Sequence, residues 1–320
     1  MKSFSYLIIS IALLICGQTT FAQSDISMTT QWNNRASYNP ASISRTEYLY
    51  LFGNARRQWV GIDGAPTVVN IQASEYVADL NSAFGISMIS DNIGLTSVLN
   101  PSLSYAYRIS PNVDLDSWSL SFGLSAGVFY RSINGSQYDP TDGTDPSINY
   151  TNQTSTSPDA NFGMELQTRN FIFGLSSTHL FAINKSYAIL QNTNNRYGYA
   201  IYKYTNSDYY NLSFGLQFNN RNNLTVVQGS AMIRFKQPTG LYEGPRELFD
   251  VGLNYTSSKQ LALLLGMNIN KDFRIGYAYE YSFQLNTNQS GTHEIMLEYR
   301  IPMKISSICE SCKGNKDWYF

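Results

Sequence analysis

The residues in this chain best suited to chemistry are few and scattered. It has two histidines, His179 and His293, and three cysteines, two of them in Cys309-Glu-Ser-Cys312. A serine hydrolase needs a base set on its nucleophile and a third group orienting that base. His293 and Glu294 are neighbours that a strand would point to opposite faces, so they suit neither task. His179 follows the parity of Phe171–Leu175, which predicts an interfacial position at a strand end. No G-x-S-x-G, H-E-x-x-H, phosphate loop or dinucleotide fingerprint occurs. Glu165, Glu280 and Glu298 could be imagined as acid and base, but structural pairing with Arg108, Arg234 and Arg300 explains them more simply. The Asp-Pro-Thr-Asp-Gly-Thr-Asp run at 139–145 has calcium-loop composition but lacks the closing glutamate, so a solvated loop is expected. A Cys-x-x-Cys can be a redox pair, half of a zinc site or a local disulfide. No second ligand pair stands at zinc spacing and no βαβ pattern surrounds it, so an oxidised structural pair, Cys309–Cys312, is expected. The chain reads as a non-enzyme with no cofactor and no metal.

The elements that carry these residues read as strands. Residues 119–131, S-L-S-F-G-L-S-A-G-V-F-Y-R, alternate every second position. Leu120, Phe122, Leu124, Ala126, Val128 and Tyr130 share one face, while Ser, Gly and Arg131 occupy the other, with Phe129 as the one large exception. A strand crossing a bilayer at a tilt needs about nine to eleven residues, apolar toward lipid and polar toward the lumen. The pattern recurs in about twelve good segments, with Tyr48–Trp59 and Arg196–Tyr204 as weaker ones. The fold class is therefore all-β, an antiparallel transmembrane β-barrel of 12–14 strands, since such barrels close with an even number. Two polar stretches, Ser132–Pro158 and Asn184–Asp208, read as long loops on the extracellular side. Tyrosine offers contact area at low entropic cost. Tyr138 and Asp139 in the first loop, with Tyr197, Tyr199 and Tyr202 in the second, are thus candidate partner contacts.

Composition agrees. Charged residues make up 14%, against about 25% in ordinary soluble domains. The 24 tyrosines suit the two membrane–water interfaces. Net charge is −1 and no basic patch appears, so nucleic acid is not an expected partner. Residues 1–22 have the three parts of a secretory signal: Lys2, the apolar run Tyr6–Ile15, and Thr20-Phe21-Ala22 before Gln23. Ile15 before Cys16 argues against lipid attachment there, so cleavage near Ala22 is expected. The organisation then reads 1–22 signal peptide, 23–47 periplasmic or plug segment, 48–302 outer-membrane barrel and 303–320 tail.

Several motifs resemble one family. Asn39-Pro-Ala41, Arg57-Gln-Trp-x-Gly61 and Gly64-Ala-Pro-Thr67 resemble the N-terminal signature of the PorP/SprF proteins. So do Asp91-x-x-Gly94, Gly174-Leu-Ser-Ser-Thr-His-Leu180 and His293-Glu-Ile-Met-Leu-Glu-Tyr299, and the likeness spans about Gln31 to Ile301. Asn39, Pro40, Arg57, Gln58, Trp59, Gly61, Pro66, His179, His293 and Glu294 are its signature positions here, and strand ends and a turn that hold the barrel closed are the simplest role for the Arg57–Pro66 group. The resemblance implies an outer-membrane component of the type IX secretion and gliding systems of Bacteroidota. It further implies a non-catalytic role in secreting or anchoring a surface protein with a type IX C-terminal sorting domain, alongside other components of that system and outer-membrane lipid. An outer-membrane channel or transporter for small or hydrophobic solutes, and an exported soluble β-protein, are the competing classes.

Overall fold

Fourteen antiparallel strands pair in chain order, and the last returns to the first to close a barrel. In the computed structural model, residues 28–43, 48–111, 118–137, 150–182, 192–221, 224–238, 246–284 and 290–302 are described. The strands are β1 (Tyr48–Arg57), β2 (Thr67–Val77), β3 (Ser82–Ile93), β4 (Thr96–Ile109), β5 (Ser119–Ile133), β6 (Gln153–Gln167) and β7 (Phe171–Thr178). The second half comprises β8 (Asn195–Tyr204), β9 (Tyr210–Arg221), β10 (Leu224–Gln237), β11 (Arg246–Thr256), β12 (Gln260–Asn268), β13 (Phe273–Ser282) and β14 (Thr292–Pro302). The closing seam runs in register from Tyr48 opposite Pro302 to Arg57 opposite His293. Closure leaves no unpaired sheet edge, which a strand needs in lipid because no water is there to satisfy its backbone.

Both weaker sequence segments are full strands, β1 and β8, so the count is 14. The polar stretches are correspondingly shorter than the sequence suggested. β5 extends to Ile133 and β6 begins at Gln153, while β8, Asn195–Tyr204, takes ten residues out of the second stretch. Both long connections, 134–152 and 179–194, lie at the same end of the barrel. The signal segment, the Tyr138–Asp139 loop and the Cys309–Cys312 tail fall outside the described residues.

Side-chain parity follows the alternation. Leu124 is 58% exposed on the outside, whereas Ser125 is 6% exposed toward the lumen. Leu103, Leu175, Phe214 and Ile295 point outward in the same way. A charge on that outer face near mid-membrane costs about 2–4 kcal/mol, and the buried Glu165, Arg234, Arg274, Glu280 and Glu298 all face inward.

The lumen is occupied. Residues 28–43 form three short 3₁₀ turns, Thr29–Trp32, Arg35–Ser37 and Pro40–Ile43, and nearly all of their side chains are buried. The segment starts near the end with the long connections, where Thr29 meets Glu280 and Glu294. It finishes near the opposite end, where Ile43 packs with Ala83 and Ala106.

Candidate functional site

The inner segment is held at both ends by polar contacts that inward-facing strand positions supply. At the long-connection end the Glu294 carboxylate accepts from the Thr29 backbone N–H at 2.7 Å, the Thr30 backbone N–H at 3.2 Å and the Asn54 amide at 2.9 Å, and also from the Thr30 hydroxyl. Arg56 pairs with Glu280 at 2.9 Å and donates to the Thr29 hydroxyl. In the middle, the Gln31 amide donates to Gln217 at 3.0 Å and to Gln228, and Trp32 Nε1 donates to Asn254 at 3.0 Å. Lower down, Arg35, the one charged residue of the segment, meets Glu165 at 3.0 Å, and the Tyr199 hydroxyl donates to the same carboxylate at 2.5 Å.

Asn39 and Pro40, two of the signature positions, belong to this contact. The Asn39 amide donates to the Met164 carbonyl at 3.1 Å and to the Tyr199 hydroxyl at 2.7 Å, while its oxygen accepts from Ala41 N–H at 3.0 Å. The wall leaves room through glycine. A Cβ at Gly123 would overlap the Ala41 backbone, and one at Gly163 would overlap the Asn39 oxygen. Asn-Pro-Ala therefore pairs with two glycines on adjacent strands β5 and β6 at opposite registers.

The other signature residues sit elsewhere. Arg57 ends β1 and points outward, and Gln58–Pro66 forms the folded β1–β2 connection, with the Gln58 N–H bonded to the Pro66 carbonyl at 2.9 Å. Trp59 has a φ of 47° and Gly61 one of 102° in this turn. Val60 exchanges backbone bonds with Ser290 and Gly291 at 2.8 and 2.9 Å, which ties this connection to the one between β13 and β14 across the closing seam. His293 and Glu294 face opposite ways: the imidazole contacts Tyr277 at 2.7 Å on the outside, while the carboxylate holds the inner segment.

His179 departs from strand parity. It follows the end of β7 with a φ of 55°, and this left-handed turn brings its ring inward. Its Nδ1 meets Asp159 at 2.9 Å, its backbone N–H donates to Asn161 at 2.8 Å, and its ring stacks edge-on with Phe129. Tyr197 and Tyr199 are likewise not loop contacts. They are inward positions of β8, 7% and 5% exposed, and their rings pack on Tyr38 with centroids 5.1 and 5.5 Å apart. Tyr202 is on β8 too, facing outward against Phe171. Burial pushes the Tyr38 phenol above its ordinary range, so it stays neutral.

The imagined acid–base carboxylates are taken by ion pairs, though with different partners from those the sequence suggested. Glu165 takes Arg35, Glu280 takes Arg56, and Glu298 takes Arg274 at 3.0 Å. Arg274 also binds Asp250 at 2.7 Å, and Arg234 meets Glu247 at 3.3 Å. Sequence reasoning could place most of these side chains inside but could not rank their partners. Between the inner segment and β2–β9 remains a cavity of about 120 Å³ at the long-connection end. Its floor includes Gln31 and Tyr38, and its wall includes Asn70, Asp91, His179 and Arg221. Asp91 and His179 stand out in the sequence as motif residues; Asn70 and Arg221 carry no signal there beyond inward parity.

The model of the family described as type IX secretion system membrane protein PorP/SprF matches residues 20–299. None of the curated proteins matches the chain. Among solved structures, the Acinetobacter baumannii outer membrane protein Omp33 is similar at 10% identity with a TM-score of 0.45, over 80% of this chain and 99% of that one. A Pseudomonas aeruginosa FadL homologue is similar at 10% identity and a TM-score of 0.44, over 86% of this chain and 98% of that one. The Pseudomonas putida toluene transporter TodX is similar at 10% identity and a TM-score of 0.41, over 88% and 95%. With the family match spanning nearly the whole barrel and its inner segment, the chain belongs to the type IX secretion system membrane protein PorP/SprF family.

Proposed function

We propose that this barrel is a non-catalytic holder that helps a specific secreted protein, one carrying a type IX C-terminal sorting domain, reach or stay on the cell surface. The observation that carries this reading is the tethered inner segment. A segment tied across the lumen by Glu294, Gln217 and Glu165 is suited to a fixed scaffold. The family's place in secretion supports a protein cargo over a small solute. In this reading the signal is removed near Ala22, both long connections face the exterior, and Cys309 and Cys312 form a periplasmic disulfide. Deleting the gene is expected to strip one or a few large proteins from the cell surface while general secretion continues. An intact surface proteome with reduced uptake of a small solute would instead favour the transporter reading. Planar-bilayer recordings of the purified protein are expected to stay near baseline. Thiol labelling of intact, unreduced protein is expected to fail, and strong labelling would remove the disulfide.

A further inference from the structure

The cavity beside the inner segment has polar groups that the protein itself leaves unmatched. Among the described residues, four buried polar atoms on its wall have no hydrogen-bond partner: Asn70 Oδ1, Tyr38 Oη, Asn192 Nδ2 and Arg221 Nη1. Asn70 is 1% exposed and Tyr38 is 5% exposed, so bulk water does not reach them freely. Buried polar groups are almost always paired, and a cluster without partners on one cavity wall points to something that binds there. The four include a pure acceptor (Asn70), two pure donors (Asn192 and Arg221) and a hydroxyl that can do either. Their occupant must then both donate and accept. Ile89, Val98 and Phe129 supply apolar wall between these groups, so it must also carry an apolar part.

A peptide unit with one apolar side chain meets all three demands. A simple anion meets them poorly: Arg131 and Arg221 on the wall would attract it, but it has no donor for Asn70 Oδ1 and no apolar part to cover Ile89, Val98 and Phe129. A hydrocarbon would leave all four atoms unpaired. Among the described residues no group of three potential ligands could hold a metal ion. A second observation marks the same site. His179 keeps a left-handed backbone at a non-glycine position, held by Asn161 and Asp159, and Asn100 in turn donates to Asp159 at 3.1 Å. Such strain is retained where the surroundings fix a side chain for use.

We infer that this cavity is a peptide-binding pocket, which captures one apolar residue and its adjoining peptide groups from an exported protein. This rests on the partner-holding function proposed above and names the part of the barrel that does the holding. Arg221 and Asn192 would donate to a peptide carbonyl, and Asn70 would accept from an N–H. The Arg221 fork is set in place through Nε, which donates to Thr193 at 2.7 Å.

The test places benzoylphenylalanine in the full-length protein in living cells. Thr96 lies on the cavity wall, and Ser97 beside it is exposed on the opposite face of β4. Photocrosslinking from position 96, and not from 97, to a defined segment of an exported protein is expected. A synthetic peptide of that segment should bind the detergent-solubilised barrel. Arg221→Met and Asn70→Leu should each weaken it about tenfold, with heat-modifiable gel migration unchanged. If an exported protein co-purifies with the barrel but crosslinks only from position 97, the pocket is wrong while the partner function stands. Equal peptide affinity in wild type and both variants would likewise remove the pocket and leave the partner function standing. Should either variant fail to fold, the crosslink at position 96 decides alone. If no exported protein co-purifies at all, both readings fall.

Discussion

The two sides of the lumen are built on opposite principles. From β10 through β14 to β1, the inner wall is a lattice of buried ion pairs in which nearly every charge meets its opposite: Arg234 with Glu247 and Asp250, Arg274 with Asp250 and Glu298, Arg56 with Glu280 and Glu294. From β2 to β9 ion pairs are sparser among the described residues, His179 with Asp159 being one of them. There the unmatched polar atoms near the long connections gather around a cavity, whereas those of the charged wall, such as Arg56 Nε and Arg274 Nε, belong to side chains already paired. The charged side gives rigidity, since a charge taken out of water must be matched where it sits. The cavity side is left open to something from outside. One barrel thus combines a fixed frame with a receptive face, and the inner segment stands between them.

That contrast is open to direct attack. The largest effect is expected from Arg274→Met, which removes the cation shared by Asp250 and Glu298 in the interior. Breaking a buried pair in this way costs about 3–5 kcal/mol, to be read as a lower urea midpoint of heat-modifiable protein. A midpoint within error of wild type would mean that the lattice contributes no rigidity. Arg35→Met acts on the boundary between the two sides. It takes the arginine away from Glu165, at a cost of about 3 kcal/mol, and should produce conductance bursts in planar bilayers as the inner segment loosens. Next comes the parity on which both walls depend. Leu124→Arg should impair assembly by the lipid-face penalty of about 2–4 kcal/mol, and Ser125→Arg should cost less. Equal yields of folded barrel from the two would undo the assignment of inside and outside. The smallest change is expected from Asn70→Leu. It replaces an unmatched oxygen on the cavity side by an apolar group, so stability should move by less than about 0.5 kcal/mol. A large loss would mean that the cavity wall is structural after all.

How much of this could be read from the sequence depends on what kind of rule each feature obeys. Strand parity is a local rule, so the outward Leu124 and the inward Glu165 are visible in their own segments. The weak alternation of Tyr48–Arg57 hides little, because even-numbered closure demands a partner for β14. Ion-pair choice is not local. Glu280 could be placed indoors, but its partner Arg56 is two strands away around a closed ring, and that neighbour is set only by global register. His179 defeats parity because one left-handed residue reverses the direction of its side chain. Tyr197 and Tyr199 resemble loop residues because their surroundings are rich in Asn and Tyr. The polar lumen accepts such a composition, so polarity alone could not separate an inward strand face from a solvated loop. Asn39-Pro-Ala41 is visible as a motif, but its fit against Gly123 and Gly163 needs three elements in space.

The bonds between Thr29 and Thr30 and the Glu294 carboxylate join positions some 265 residues apart. Residues made among the first are thereby anchored to the strand made last, so neither the inner segment nor the closing seam is complete without the other. Loop-closure entropy over such a separation is lost before any of these contacts form. Docking of the segment and zipping of β1 onto β14 are therefore expected late in folding, to be checked by the order in which the two regions gain protection from hydrogen exchange during refolding. A chain that zips its wall around an undocked segment keeps the pairing of Arg56 with Glu280 and Glu294 but leaves the Glu294 carboxylate without the two backbone N–H groups and the hydroxyl that it binds in the finished barrel.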